Sequence, residues 1–367
     1  MAIRRPVPSS STQRPPRSGL LGFLLLYVGL ILLGSLYPFQ GWTAIDGLPF
    51  RFLTAPWPRY ITRTDLATNL LSYAPLGYAF ALWFSPPGHR LRGVALGVMA
   101  GVLLSFACES TQQFLTSRIA SNLDLLVNSL GALLGALLAI HHSRWLRALR
   151  AMGRWRQRWF RASPMTSVGL VLLAIWMVAQ FALVPLSGIG WLHLHLRPLD
   201  LPPESLAGIN IPWLLALFVE MATVGAFTGC LLRPGRYVGG LALLFFTAFF
   251  AKLLVATLLL KLSVAGGVLS LETLAAFILA LWLLLLPAAA RHRTGLALAG
   301  MGLIILARLL LADDFLPRAS LLNIVGLAKH LGALWPVLGL AWLLYASVRP
   351  GGDGTNPLQR RPSTSGP

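Results

Sequence analysis

Ten stretches of mostly apolar residues follow one another along the chain, and no other feature constrains its folding as much. They lie near 19–37, 66–84, 93–116, 124–142, 165–186, 210–232, 237–260, 268–290, 294–311 and 328–347. A hydrocarbon core about 30 Å thick offers no water to the backbone, so a crossing segment must satisfy its own N–H and C=O groups, as a helix of about 20 residues does. Composition agrees: 56% of the 367 residues are hydrophobic and 11% are charged, against about 25% charged in soluble domains. The expected fold class is all-α, a polytopic transmembrane helix bundle of about ten spans.

The chain carries 30 Lys and Arg against 11 Asp and Glu, a formal net charge of +19. In a soluble protein that balance would point to nucleic acid. Here the arginines sit in short runs between apolar stretches, which is a topology signal, and no nucleic-acid partner is expected. With a cytoplasmic N-terminus, twenty basic residues fall in inside segments, among them Arg90, Arg92, Arg233, Arg236, Arg291 and Arg293, and seven fall outside. The bias predicts both termini in the cytoplasm and a multi-pass protein of the cell inner (cytoplasmic) membrane. The first apolar stretch follows arginines as a signal peptide would, yet Tyr37-Pro38-Phe39-Gln40 has no small-residue cleavage site, so a retained helix is expected.

A run of arginine and tryptophan from Arg144 to Arg161 divides the chain. The expected organisation is a basic disordered tail (1–18), a four-helix membrane module (19–142), a basic interfacial linker (143–164), a six-helix membrane domain (165–347) and a second disordered tail (348–367). Arginines of the linker would meet anionic headgroups while its tryptophans sit at the interface, which makes membrane lipids its expected partners. Cys108 and Cys230 fall near opposite membrane faces, too far apart for a disulfide.

Polar residues inside or at the ends of the first spans form three pairs: Asp65 with Asn69, Glu109 with Gln113, and Asp124 with Asn128. Each pair is spaced i, i+4, which stacks both side chains on one helix face. The expected topology brings all three to the outer membrane face, beside Arg118 in the connection between spans 3 and 4. An ionisable group within a span faces the protein interior or a wet cavity and marks a functional site by default. Glu109, Gln113, Arg118, Asp124 and Asn128, with Asp65 and Asn69 on the next helix, are therefore expected to form one outward-opening polar pocket. A structural reading stands beside this one. Asp65 and Asp124 would cap helices, the amides would make ordinary interhelical hydrogen bonds, and Glu109 would pair with Arg118. Gly131 and Gly135 continue the Asn128 face as a small-residue packing patch, and Pro75-Leu76-Gly77 predicts a kink or local break in span 2.

The ordered set Asp65, Asn69, Pro75-Leu76-Gly77, Glu109-x-x-x-Gln113-Phe114, Arg118, Asp124-Leu125 and Asn128-x-x-Gly131-x-x-x-Gly135 resembles the VanZ family over about residues 20–142. The resemblance implies a four-helix membrane module, known from a protein that accompanies glycopeptide-antibiotic resistance and from larger proteins of envelope and exopolysaccharide settings. One departure is that Arg118 is followed by Ile119-Ala120-Ser121-Asn122, where many relatives carry an acidic residue.

In the second half, Glu220 and Lys252 lie at similar depths on consecutive antiparallel spans and are expected to form a structural ion pair. His193, His195, Asp200 and Glu204 share an outside loop, a weak metal pattern, and no metal site or cofactor is expected. No phosphate-cradling glycine loop and no nucleophile with a spaced base is visible. Three functions follow: a binder of a lipid-linked or cell-wall/exopolysaccharide component, with envelope-synthesis proteins as possible partners; a membrane enzyme on lipid-linked glycans with a carboxylate acid/base; or a transporter.

Overall fold

The computed structural model describes residues 17–44, 47–48, 50–58, 60–86, 88–181, 209–259, 271–312, 314–321 and 323–348. The molecule is all-helical, with 80% helix and no strand among the described residues. The helices are α1 (Arg17–Leu36), α2 (Arg63–Phe84), α3 (Arg90–Gln112), α4 (Asn122–Ile140), α5 (His142–Trp159), α6 (Pro164–Ala179), α7 (Ile211–Leu231), α8 (Tyr237–Leu259), α9 (Leu271–Leu285), α10 (Pro287–Arg291), α11 (Arg293–Leu311) and α12 (Ile324–Val348). Among the described residues seven of these (α1, α3, α4, α7, α8, α11 and α12) are long and apolar enough to cross a membrane, and α6 and α9 are shorter apolar helices. The protein is a multi-pass membrane protein. His193, His195, Asp200 and Glu204 lie outside the described residues, as does most of each tail.

The chain divides into two compact units. The first comprises Met1–Trp159, Ala251–Val268 and Ala319–Ala328; the second comprises Phe160–Phe250, Leu269–Arg318 and Lys329–Pro367.

In the first unit α2, α3 and α4 pack against one another at very short range, and small residues are the cause. A Cβ at Gly131 or Gly135 would fall onto the carbonyl oxygens of Leu70 and Ala74. One at Gly77 would strike the backbone of Ala132, and one at Gly97 that of Ala81. Contacts that rise together in number, Leu70 with Gly131 and Ala74 with Gly135, show that α2 and α4 run parallel, while Ala81 with Gly97 and Ser85 with Gly93 make α3 antiparallel to α2. α2 continues as one helix through Pro75, so the Pro75-Leu76-Gly77 segment causes no break. α1 lays Leu24 and Ile31 against Tyr73, Leu76, Ala79 and Cys108, and most of its remaining side chains face outward.

The chain between α1 and α2 folds back over the ends of α3 and α4. Thr43 N donates to Phe114 O at 2.9 Å and Thr116 N to Gly41 O at 3.1 Å. Phe50 stacks on Phe106 at 5.4 Å, and Asn122 Nδ2 holds Ala55 O at 2.7 Å.

In the second unit α7 is the central helix, packed by α9 and α11. Its residues Ala222 to Phe227 are buried on every side, as expected of a helix apolar all round. Trp335 of α12 packs on Phe227 at 5.7 Å and on Trp176 at 6.4 Å.

Candidate functional site

Two helix starts of the same design lie side by side in the first unit. Thr62 caps α2 by accepting from Asp65 N at 3.1 Å, and its hydroxyl donates to the Asp65 carboxylate. Ser121 caps α4 by accepting from Leu123 N at 3.2 Å and Asp124 N at 3.3 Å. Asp65 and Asp124 are thus first-turn carboxylates of the two helices, and Thr62 and Ser121 are the N-caps. Each is stabilised by the positive end of its own helix dipole. The underlying pattern, Thr62-x-x-Asp65-Leu66-x-x-Asn69 and Ser121-x-x-Asp124-Leu125-x-x-Asn128, occurs twice. Because α2 and α4 run parallel, both copies sit at one end of the unit. Asn69 Nδ2 of the first donates to Asp124 Oδ1 of the second at 2.7 Å.

Glu109 joins this pair from α3. The helix ends at Gln112, four residues short of the expected end of span 3, so Glu109 lies in its last turn, closer to the helix end than its sequence position suggested, and is still buried. A carboxylate at a helix C-terminus is disfavoured by the dipole. Here the chain returns so that Ser121 N donates to Glu109 Oε2 at 2.8 Å, which places the carboxylate on the N-terminus of α4 instead. Asp124 is within electrostatic reach of both Glu109 and Asp65. Among the described residues neither Glu109 nor Asp124 forms an ion pair within 4.0 Å.

Exposure falls steadily along the set. Asp65 is exposed, Asn69 and Asp124 are half-buried, and Glu109 and Asn128 retain 3% and 5% of their surface. Below Glu109, Asn128 Nδ2 donates to Ser105 Oγ at 3.0 Å, while Asn128 Oδ1 is buried with no hydrogen-bond partner among the described residues.

Two residues of the expected pocket are engaged elsewhere. Arg118 Nε donates to Tyr37 O at 2.9 Å and Nη2 to Gly34 O at 3.0 Å, so its guanidinium caps the last carbonyls of α1. Gln113 Oε1 accepts from Phe50 N at 3.1 Å and ties down the α1–α2 connection. Its neighbour Gln112 is the buried amide, donating to Ser35 O at 3.0 Å. Sequence reasoning passed over Ser105, Gln112, Ser121 and Asn122. Of these, Ser121 carried a legible signal, a Ser three residues before an Asp at the start of an apolar run.

In the second unit Glu220 Oε1 accepts from Trp176 Nε1 at 3.2 Å and Gln180 Nε2 at 3.4 Å. Lys252, its expected partner, belongs to the first unit.

The geometry of the first unit coincides with a family assignment, since residues 20–146 match the VanZ/LLP1 family. The N-terminal module is VanZ-like. No curated protein and no solved structure matches the chain. The VanZ-like match encloses α1 to α4 and with them every residue of the polar cluster.

Proposed function

We propose that the VanZ-like module binds a hydroxyl- or amine-bearing component of the bacterial cell envelope, lipid-linked or part of the wall or an exopolysaccharide. Glu109, Asp124, Asn69 and Asn128 would be its contacts and Asp65 its entrance. The observation that carries this reading is the convergence of two carboxylates, from α3 and α4, on one place with no ion-pair partner among the described residues. A structural ion pair would have quenched that charge. Carboxylates held by amide donors but by no cation favour a ligand rich in donors. Arg118 and Gln113 serve the site by fastening α1 and its connection over the cluster.

This proposal includes ten spans with both termini cytoplasmic, in the inner membrane, which turns the ends of α2, α3 and α4 that hold the cluster outward. The arginine distribution supports that orientation. The Thr62 and Ser121 caps leave no helix start unsatisfied there.

The test is titration of a lipid-linked aminosugar into the full-length protein in nanodiscs. Glu109→Gln and Asp124→Asn each remove a charge without changing shape, and each is expected to weaken binding by about tenfold or more, the worth of a hydrogen bond to a charged group. Wild-type affinity in both variants, with unaltered thermal midpoints, would refute the assignment.

A further inference from the structure

The connection from α1 to α2 turns large apolar side chains outward at the same end of the module as the polar cluster. Tyr37, Phe39 and Trp42 are exposed, Trp57 and Tyr60 retain 64% and 92% of their surface, and Ile119, in the connection from α3 to α4, retains 86%. Exposing apolar surface to water costs about 25 cal/mol per Å², and a concentration of it marks an interaction surface. Looseness does not explain the exposure. Thr43 N and Thr116 N bond across the two connections, Gln113 Oε1 holds Phe50 N, Asn122 Nδ2 holds Ala55 O, and Arg118 Nε holds Tyr37 O. Trp42 Nε1 donates to Phe39 O at 2.9 Å. A segment tied down in this way presents its rings without reorganising.

This surface continues one that faces lipid. Leu25, Leu26, Leu30 and Leu33 are exposed on α1, a helix apolar enough to cross a membrane, and Tyr37 and Phe39 follow directly on its end. Trp and Tyr are the side chains that settle at headgroup depth, where the ring lies against acyl chains and its N–H or O–H meets water. Arg51, exposed in the same connection, suits a lipid phosphate. The rim also adjoins the cluster at two points. Tyr60 lies two residues before Thr62, whose hydroxyl donates to the Asp65 carboxylate, and Ile119 lies two residues before Ser121, whose N–H holds Glu109.

We propose that the α1–α2 connection and Ile119 are seated in the headgroup layer, that of the outer leaflet in the topology given above, and that the polar cluster opens sideways at that depth. Its ligand is then the head of a lipid-linked component delivered from within the leaflet, rather than a soluble wall or exopolysaccharide chain. The seating stands on the exposed rings and their continuity with α1, whereas the route rests on the binding function proposed above.

The experiment uses the full-length protein in nanodiscs of phosphatidylglycerol and phosphatidylethanolamine. In one arm the photoreactive residue p-benzoylphenylalanine replaces Trp57, Tyr60 or Ile119, with Leu26 as the lipid-facing reference, and lipid adducts are measured by mass spectrometry after irradiation. Each of the three is expected to give an adduct yield within about threefold of that at Leu26, because all would meet the same bilayer. Yields at the level of unirradiated samples, or adducts to protein in place of lipid, would overturn the seating. A second arm titrates a lipid-linked aminosugar and the same aminosugar without its lipid. Trp57→Ser combined with Tyr60→Ser, both fully outside the packed core, is expected to weaken binding of the lipid-linked form about fivefold and to leave the free sugar within about twofold. An equal loss for both ligands would make the rings a sugar platform and overturn the lateral route, as would no loss for either. A wild type that binds neither ligand refutes the binding function and the route with it, while the adducts still decide the seating.

Discussion

Glycines in the two units meet different neighbours. In the first unit Gly77, Gly97, Gly131 and Gly135 face backbone: Ala132, Ala81, Leu70 and Ala74. In the second, Gly169, Gly225, Gly229, Gly240 and Gly339 face the ends of side chains: Leu231, Leu284, Tyr237, Leu232 and Met301. Backbone does not yield, whereas a leucine or methionine end rotates aside. The VanZ-like unit is therefore a rigid frame, and its acids and amides are held by caps and by one another. The second unit is packed by adaptable side chains, and among the described residues it is there that buried charged atoms lack hydrogen-bond partners.

The largest expected effect breaks this comparison if it fails. Gly135→Ala should destabilise the protein by about 3 kcal/mol or more, because the Ala74 carbonyl cannot withdraw without parting α2 from α4, whereas Gly225→Ala should cost about 1 kcal/mol or less as Leu284 turns away. Thermal midpoints of the two variants in nanodiscs check the difference; equal losses would remove the distinction between the units. A smaller effect sharpens it. Ser121→Ala deletes the cap of α4 while retaining the backbone N–H that holds Glu109, so it should cost about 1 kcal/mol and leave ligand affinity within about twofold. Denaturation and titration of the same sample separate the two quantities.

The helices were legible in the sequence because a membrane leaves the backbone one solution, and hydropathy reports it directly. Their ends were less so. Span 3 reads as apolar to residue 116, yet Phe114 and Thr116 leave the helix to bond with Thr43 and Gly41, partners far upstream that no local pattern announces. The i, i+4 pairs located Asp65, Asn69, Glu109, Asp124 and Asn128 because spacing alone decides which residues share a helix face. Arg118 was drawn toward the carboxylates on grounds of charge, but the carbonyls it binds, at Gly34 and Tyr37, carry no signature of their own. Gln113 and Gln112 differ by one position, and only the fold determines which amide is buried.

The most direct measurement is a high-resolution cryo-EM map of the full-length protein in native lipid. The account predicts Glu109 on Ser121 N, Asn69 on Asp124, Arg118 turned to the end of α1, and ligand or ordered-solvent density between the two carboxylates. A map with the Arg118 guanidinium seated on Glu109 or Asp124 would contradict it, because the charge assigned to a ligand would already be neutralised within the chain.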